Sequence, residues 1–333
     1  MNFLIIKTSS IGDIIQTFPV VEYLKNKFPG CCCDWIVEEE YAPLVKAHPD
    51  IADVLTIATR KWRRSWFQKN SYTELHQAIS RLKNKSYDVI FDLQGNTKSA
   101  VLTYFAKGKQ KVGYGWKSTP EWPHFLATDV QFNVDEALPI QLRYLSIIQQ
   151  FYNDTQPFEF GKGIELMLSP EEEKRLNELN SSKIMVAFSS RWSNKCLTTG
   201  QWVTLLKQYQ PPFYFVCGTD REKEMAEELA VQFPGSEVLQ NLSFPLWQRL
   251  MGKMELVIAV DSAALALCGT TATASYSFFG PTLASVYKPI GDQHRYFQGN
   301  CPYGVKFTAR CPRLRSCKTG ACLKNQAFAA IDP

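Results

Sequence analysis

Short apolar runs alternate with helix-like stretches along the whole chain, and that alternation restricts the fold to α/β layers built on parallel sheets. In the first half the runs at 3–6, 33–37, 54–57, 89–92 and 111–115 read as strands. Helical periodicity fills most of the gaps, at 20–28, 72–83, 97–106 and 136–152. Asn153-Asp154-Thr155-Gln156-Pro157 then breaks the pattern, which places a boundary between domains 1–155 and 156–333. The second half restarts at Leu168-Ser169-Pro170-Glu171-Glu172-Glu173, where Ser169 reads as a helix cap and Pro170 as the first helical residue. Strands recur at 184–188, 214–217, 236–239, 256–260 and 274–278. A length of 333 residues suits two such domains with a cleft between them. Ligands of open parallel sheets bind at the carboxyl ends of the strands, so the residues that follow each strand are the informative ones.

The turn after the first run carries the densest chemistry. Phe3-Leu4-Ile5-Ile6 fits a buried parallel strand, and Lys7-Thr8-Ser9-Ser10-Ile11-Gly12-Asp13 replaces it with small and hydroxyl residues. Ser9, Ser10 and Gly12 would offer hydroxyls and backbone N–H groups to an anion at a helix start. Asp13 either faces a bound ligand or caps that helix. In the second half Ser189, Ser190, Arg191 and Lys195 follow a strand and read as a phosphate clamp or as a solvated basic loop. Gly218 and Glu222 sit where an acid can take ribose hydroxyls, although an acid in a first helical turn is routine and the structural reading is preferred. Asp261-Ser262-Ala263-Ala264 leads from a strand into a helix and suits a nucleotide diphosphate sugar, and Phe279-Gly280-Pro281-Thr282 is a turn able to close over the same ligand.

Charge and cysteines narrow the classes. The formal charge is +5, yet Arg60, Lys61, Arg63, Arg64 and Lys69 crowd a stretch without an acid, and Lys98 in Asp92-Leu93-Gln94-Gly95-Asn96-Thr97-Lys98 would extend it into a basic wall. Trp62, Trp66 and Phe67 interleave with these cations, a pattern of nucleic-acid and membrane surfaces. One short basic segment on a nearly neutral chain argues against nucleic acid. With no run of about twenty apolar residues and no signal-peptide pattern around Lys7 and Asp13, the reading is cytosolic. The ten cysteines include Cys31-Cys32-Cys33, and Cys301, Cys311, Cys317 and Cys322 are spaced too widely for paired zinc-ribbon ligands, so free thiols are expected rather than a metal or disulfide cluster.

Taken in order, Lys7-Thr8-Ser9-Ser10-Ile11-Gly12-Asp13, Asp34-Trp35-Ile36-Val37-Glu38-Glu39, Arg60-Lys61-Trp62-Arg63, Gln94-Gly95-Asn96-Thr97-Lys98-Ser99-Ala100 and Phe279-Gly280-Pro281-Thr282 resemble the lipopolysaccharide heptosyltransferase I branch of glycosyltransferase family 9. The likeness is densest through about residue 120 and thins toward 290. It implies a GT-B fold, with two Rossmann-like domains facing across a cleft, the first for the acceptor and the second for the nucleotide sugar. It implies inverting, metal-independent transfer of heptose from ADP-heptose to Kdo on lipid A, with no cofactor. On this resemblance Asp13 is the general base and Lys195 steadies the leaving diphosphate, the two being brought together by domain closure. Donor contacts fall to Ser9, Ser10, Gly12, Ser189, Ser190, Arg191, Gly218, Glu222, Asp261, Ser262 and Ala263. Acceptor contacts fall to Arg60, Lys61, Arg63, Arg64, Lys98 and Lys117, the last standing where an arginine is expected after Trp116. A lipid A acceptor implies peripheral contact with the inner membrane's cytoplasmic face, through Trp62, Trp66 and the arginines. Where the family has Asp-Thr-Gly-Leu-Ser-His, this chain has Asp261-Ser262-Ala263-Ala264-Leu265-Ala266. That departure leaves two alternatives, a degenerate member acting as a binding protein or a transferase using another nucleotide sugar.

Overall fold

A computed structural model of the chain describes residues 1–64, 69–161 and 163–326. The polypeptide divides into two compact units, Met1–Phe160 and Gly161–Pro333. The division falls a few residues beyond 155 because the polar segment is itself tied to the first unit. Asp154 accepts hydrogen bonds from the Tyr23 hydroxyl at 2.6 Å and from Lys27 Nζ at 2.7 Å. Phe158 packs edge-on against Tyr23, with ring centroids 5.7 Å apart.

The first unit is built on β1 (Asn2–Ile6), β2 (Cys32–Glu38), β3 (Ile51–Ile57), β4 (Ser86–Asp92), β5 (Lys107–Tyr114) and β6 (Val130–Phe132). They pair in parallel in the order β3-β2-β1-β4-β5-β6. Phe3, Leu4, Ile5 and Ile6 on the central strand are fully buried, as a strand covered by helices on both faces requires. β6 was not expected from the sequence. It is a three-residue edge strand of half-buried residues, too short to carry a pattern. The helix expected from 136 begins at Ile140 and runs to Phe151, since a residue before a proline is steered away from helical backbone and Pro139 stands at the cap. The stretch after β1 forms two helices, Ile11–Ile15 and Phe18–Lys27, with a proline in the first turn of the second.

The second unit repeats the plan with β7 (Ile184–Ala187), β8 (Phe213–Cys217), β9 (Glu237–Gln240), β10 (Leu256–Val260), β11 (Ala274–Phe279) and β12 (His294–Gln298). Its order is β12-β11-β10-β7-β8-β9, which is the first unit's order when each unit is counted from its own first strand. The edge strand β12 was also missed, because His294-Arg295-Tyr296-Phe297-Gln298 is mostly polar and only partly buried and so gives no apolar run. Ser169 and Glu172 form the expected capping box on helix Pro170–Glu178. Phe188, Trp202, Phe213, Phe215, Ile258, Val260 and Phe278 belong to one buried cluster of this unit. In both units the strand order reverses direction beside the central strand, between β1 and β4 and between β7 and β10, which is where open α/β sheets bind ligands.

Phe215 on β8, the strand next to the edge, is completely buried in that cluster. Phe215→Ala should cost about 3–5 kcal/mol, read as a lower urea midpoint with the slope retained. An unchanged midpoint would show that this cluster is not what holds the second unit.

Candidate active site

The site in the first unit grows from strand register. Ile6 on β1 lies opposite Asp92 on β4, so the two chains leave the sheet side by side. Asp92 is fully buried. Its Oδ1 accepts the amide N–H groups of Gln94 and Gly95, both at 3.0 Å. Its Oδ2 accepts the Thr103 hydroxyl at 2.8 Å and lies 3.0 Å from His124 Nδ1. Because His124 Nε2 accepts the Tyr114 amide at 3.1 Å, the ring proton sits on Nδ1 and points at Asp92. Burial opposes ionisation of Asp92, but the hydrogen bonds from His124 and the Gly95 amide outweigh it and hold the carboxyl below its ordinary pKa. Gly95 has φ of 69°, and a Cβ there would stand 2.7 Å from Pro120 and 2.8 Å from the Tyr114 ring, so glycine is required.

Asp92 thereby aims Gln94, and Gln94 holds the hydroxyl-rich turn. Its Oε1 accepts Thr8 N–H at 3.0 Å, Ser9 N–H at 3.0 Å and the Thr8 hydroxyl at 3.3 Å. Within that turn Asp13 does cap its helix, since Oδ2 takes the Ser10 amide at 3.1 Å and the Ser10 hydroxyl at 2.6 Å. The other oxygen, Oδ1, accepts the Tyr144 hydroxyl at 3.3 Å. Capping thus locks the side chain without using both oxygens in the same way. Lys7 is buried behind it, donating to Leu93 O at 3.0 Å and lying 4.3 Å from the Tyr144 ring centroid. Burial lowers the Lys7 pKa, while the charges of Asp13 and Asp92 work against that shift. A Cβ on Gly12 would meet nothing within 4 Å, so the backbone there borders open space. Ser9 is half-buried and Ser10 exposed.

The expected basic wall is largely neutralised. Arg60 pairs with Glu40, and Lys61 with Glu74 at 2.7 Å. Lys98 donates to the Thr59 hydroxyl at 3.1 Å and lies 3.5 Å from Glu38. A window that held no acid in sequence is supplied with Glu38, Glu40 and Glu74 by folding. Arg63 and Arg64 form the end of helix Thr59–Arg64, and Lys117 is exposed with its N–H on Asn133 Oδ1 at 2.9 Å. The reading of Trp62 as a surface aromatic is overturned. It is 7% exposed, belongs to the first unit's core and donates Nε1–H to Glu74 at 3.0 Å. Trp66 and Phe67 lie outside the described residues.

In the second unit the loop after β7 meets the end of β10. Lys195 Nζ donates to Asp261 Oδ2 at 2.5 Å, the Thr282 hydroxyl donates to the same oxygen, and Ser190 Oγ donates to Asp261 O at 3.1 Å. Lys195 and Asp261 expose only 13% and 12% of their side chains, so this is a mostly dry ion pair rather than the free cation expected from the loop. Glu222 accepts Gly218 N–H at 2.8 Å and Thr219 N–H at 3.0 Å, with the Ser189 hydroxyl a further partner. Burial opposes its ionisation, yet those bonds hold it below the ordinary range. It is the first-turn acid that completes the capping box of helix Asp220–Gln232 with Thr219 at the cap, a structural role of the kind the sequence reading preferred. Arg191 is exposed, its guanidinium 5.8 Å from the Trp192 ring centroid. Ala263 is half-buried and Ala266 buried on helix Ala263–Cys268. Ser262 Oγ is buried with no hydrogen-bond partner among the described residues.

The C-terminal segment supports this loop. Asn194 is 3% exposed and donates to Leu314 O at 2.8 Å and Cys317 O at 3.1 Å. Gly320, at φ of 61°, leaves room that a Cβ would close to 2.9 Å from Asn194. Cys311 N–H donates to Pro281 O at 2.8 Å, which fixes the turn that carries Thr282. Cys301, Cys311, Cys317 and Cys322 are free thiols, and among the described residues no three His, Cys, Asp or Glu side chains are grouped to hold a metal. Burial first, then the neighbouring thiols, push Cys322 up to about 11.

The model of glycosyltransferase family 9, the heptosyltransferases, matches residues 75–315. The chain belongs to glycosyltransferase family 9. Lipopolysaccharide heptosyltransferase 1 of Pseudomonas aeruginosa is 26% identical over 287 residues, covering 85% of this chain and 79% of its own. The E. coli heptosyltransferase WaaC solved with ADP is similar in structure, at a TM-score of 0.78 and 24% identity over 90% of this chain and 94% of its own. The structure of E. coli ADP-heptose lps heptosyltransferase II gives a TM-score of 0.71 and 18% identity over 95% and 94%. This family 9 glycosyltransferase therefore has the expected GT-B type of domain, twice. His124, Tyr144 and Thr282 were not singled out as site residues by sequence; only Thr282 stood in a noted turn, while the other two meet the site purely through folding.

Asp92, whose pKa is lowered on folding, stabilises the native state above the ordinary aspartate range, and that contribution is lost as pH falls through its folded value. Unfolding midpoints of the wild-type protein should fall on acidification below about pH 4. Asp92→Asn should be less stable at neutral pH and lose less on acidification; parallel curves would refute the role.

Proposed function

We propose that this family 9 glycosyltransferase transfers L-glycero-D-manno-heptose from ADP-heptose to a Kdo sugar of lipid A, with inversion and without a metal ion. The observation that carries the reading is Asp13, a carboxylate locked by Ser10 on one oxygen and, among the described residues, hydrogen-bonded on the other by the Tyr144 hydroxyl at 3.3 Å. The relatives' names support ADP-heptose as donor and lipopolysaccharide as the product's class, and the Kdo of lipid A as acceptor follows from the resemblance.

The acceptor hydroxyl gives its proton to Asp13 as its oxygen bonds to the anomeric carbon, and the bond from that carbon to the diphosphate oxygen breaks in the same displacement. One displacement inverts the centre. Lys195 carries the positive charge that the departing ADP needs, exchanging part of its pairing with Asp261 for the diphosphate. Asp261 stays anchored by Thr282 and is free to take a sugar hydroxyl. The unpartnered Ser262 hydroxyl supports a donor site too, since a diphosphate oxygen would satisfy it. Arg60, Lys61 and Lys98 meet the acceptor's phosphate and carboxylate groups by trading their carboxylate partners, so acceptor binding should weaken with salt. Ala266, standing where the family has histidine, favours a second reading in which the donor sugar differs.

Incubating the protein with Kdo-modified lipid A and ADP-heptose should yield heptosylated product, and no product with this or any other ADP sugar would reject the transferase reading. Calorimetric titration with ADP then separates a degenerate binder from an inert fold. Asp13→Asn should lose about 10²–10⁴-fold in turnover with donor affinity retained; turnover near wild type would remove Asp13 as the base. Lys195→Met should weaken ADP binding as well as turnover.

A further inference from the structure

Trp62 is buried and is not itself a surface contact for a lipid-borne acceptor. Ten large apolar side chains are exposed among the described residues, and five of them fall within 101–126. They are Val101 at 47%, Tyr104 at 68%, Trp116 at 66%, Trp122 at 60% and Leu126 at 74% exposure. Val101 and Tyr104 lie one turn apart on helix Thr97–Phe105, which packs against the short helix Trp122–Ala127. Trp116 joins them through Phe125, ring centroids 5.7 Å apart. Val101 and Tyr104 thus stand on one side of their helix and Trp122 and Leu126 on the element packed against it, and such a local cluster of exposed apolar side chains marks an interaction site.

The charges around it identify what it meets. Residues 97–129 hold five lysines against two acids, Glu121 and Asp129; Lys98 and Lys109 pair with Glu38 and Asp88 outside the segment, which leaves Lys107, Lys111 and Lys117. Glu121 is occupied by the Thr97 amide at 2.8 Å and hydroxyl at 2.6 Å, and Asp129 accepts the Lys111 amide at 2.9 Å. Lys111 Nζ lies 5.9 Å from the Tyr104 ring centroid, and exposed Lys117 follows Trp116 directly. Tryptophan and tyrosine with flanking lysine is the composition of a membrane interface, whereas the centre of a protein interface is depleted in lysine. The helix that carries half of the face starts at Asn96, immediately after the Gln94-Gly95 turn that holds the Asp13 loop.

We infer that this face docks the first unit on an anionic phospholipid surface beside its acceptor end. The inference rests on the proposed lipid acceptor. Phosphate headgroups attract the lysines while the rings and Leu126 enter the boundary between headgroup and acyl chain.

The test compares the wild-type protein with Trp122→Ser/Leu126→Ser, both exposed positions outside the proposed machinery. Co-sedimentation with phosphatidylcholine vesicles containing phosphatidylglycerol should weaken at least tenfold in the variant. Wild-type binding should fall with added salt and with phosphatidylglycerol omitted. Transfer to vesicle-embedded acceptor should drop in parallel, while transfer to a deacylated, water-soluble Kdo acceptor and the thermal midpoint stay unchanged. Equal vesicle binding by variant and wild type, or none by wild type, overturns the inference. So does a wild-type dimer in sedimentation velocity that the variant dissolves, because the face would then belong to a second copy of this chain. Vesicle binding that behaves as expected without transfer to either acceptor upholds the docking face and rejects the proposed function instead.

Discussion

One side-chain oxygen organises the end of the first sheet. Gln94 Oε1 receives the Thr8 and Ser9 amides and the Thr8 hydroxyl, and so fixes the path by which the chain leaves β1 for Asp13. Gln94 can do this because Asp92 holds its backbone, and Asp92 can stay ionised in a dry position because His124, Thr103 and two amides satisfy it. An unsatisfied carboxylate there would cost far more than any of these bonds contributes separately. The hydroxyl-rich turn is therefore an extension of the strand pairing, with little freedom of its own.

The second unit reaches the same end by another device. Lys195 comes from a loop with only a three-residue helix in it, and such a loop needs external support. Asn194 provides it by binding two carbonyls of the C-terminal segment, while Cys311 and Pro281 bind that segment to the turn holding Thr282. Thr282 and Lys195 then share one oxygen of Asp261. The cysteine-rich end is in this sense a strap behind the Lys195–Asp261 pair, and its thiols are mostly covered as a consequence of that packing.

Much of this was legible beforehand, for identifiable reasons. Central parallel strands such as 3–6 and 256–260 are buried on both faces and so appear as unbroken apolar runs. The caps at Ser169 and Glu222 follow local chemistry that a few neighbouring residues complete. Edge strands β6 and β12 escaped because they are half wet. Trp62 and the cations around it were misread for a related reason: Glu74 and Glu40, which bury or neutralise them, lie ten or more residues away in sequence.

Alone, the sequence determined two α/β units, the strands at their centres and the turns where chemistry sits, because burial on both faces and helix capping are written in short stretches of chain. Five motifs in a fixed order also carried the family. The tertiary structure decided which charges remain available, since Lys195 and Asp261 acquire partners only when distant segments are brought together, and Asp13 gains Tyr144 in the same way beside its local bonds to Ser10. It decided equally which aromatic residues face water, burying Trp62 and exposing Trp116 and Trp122. Burial and pairing depend on what packs from the other side, and a local pattern contains no record of that.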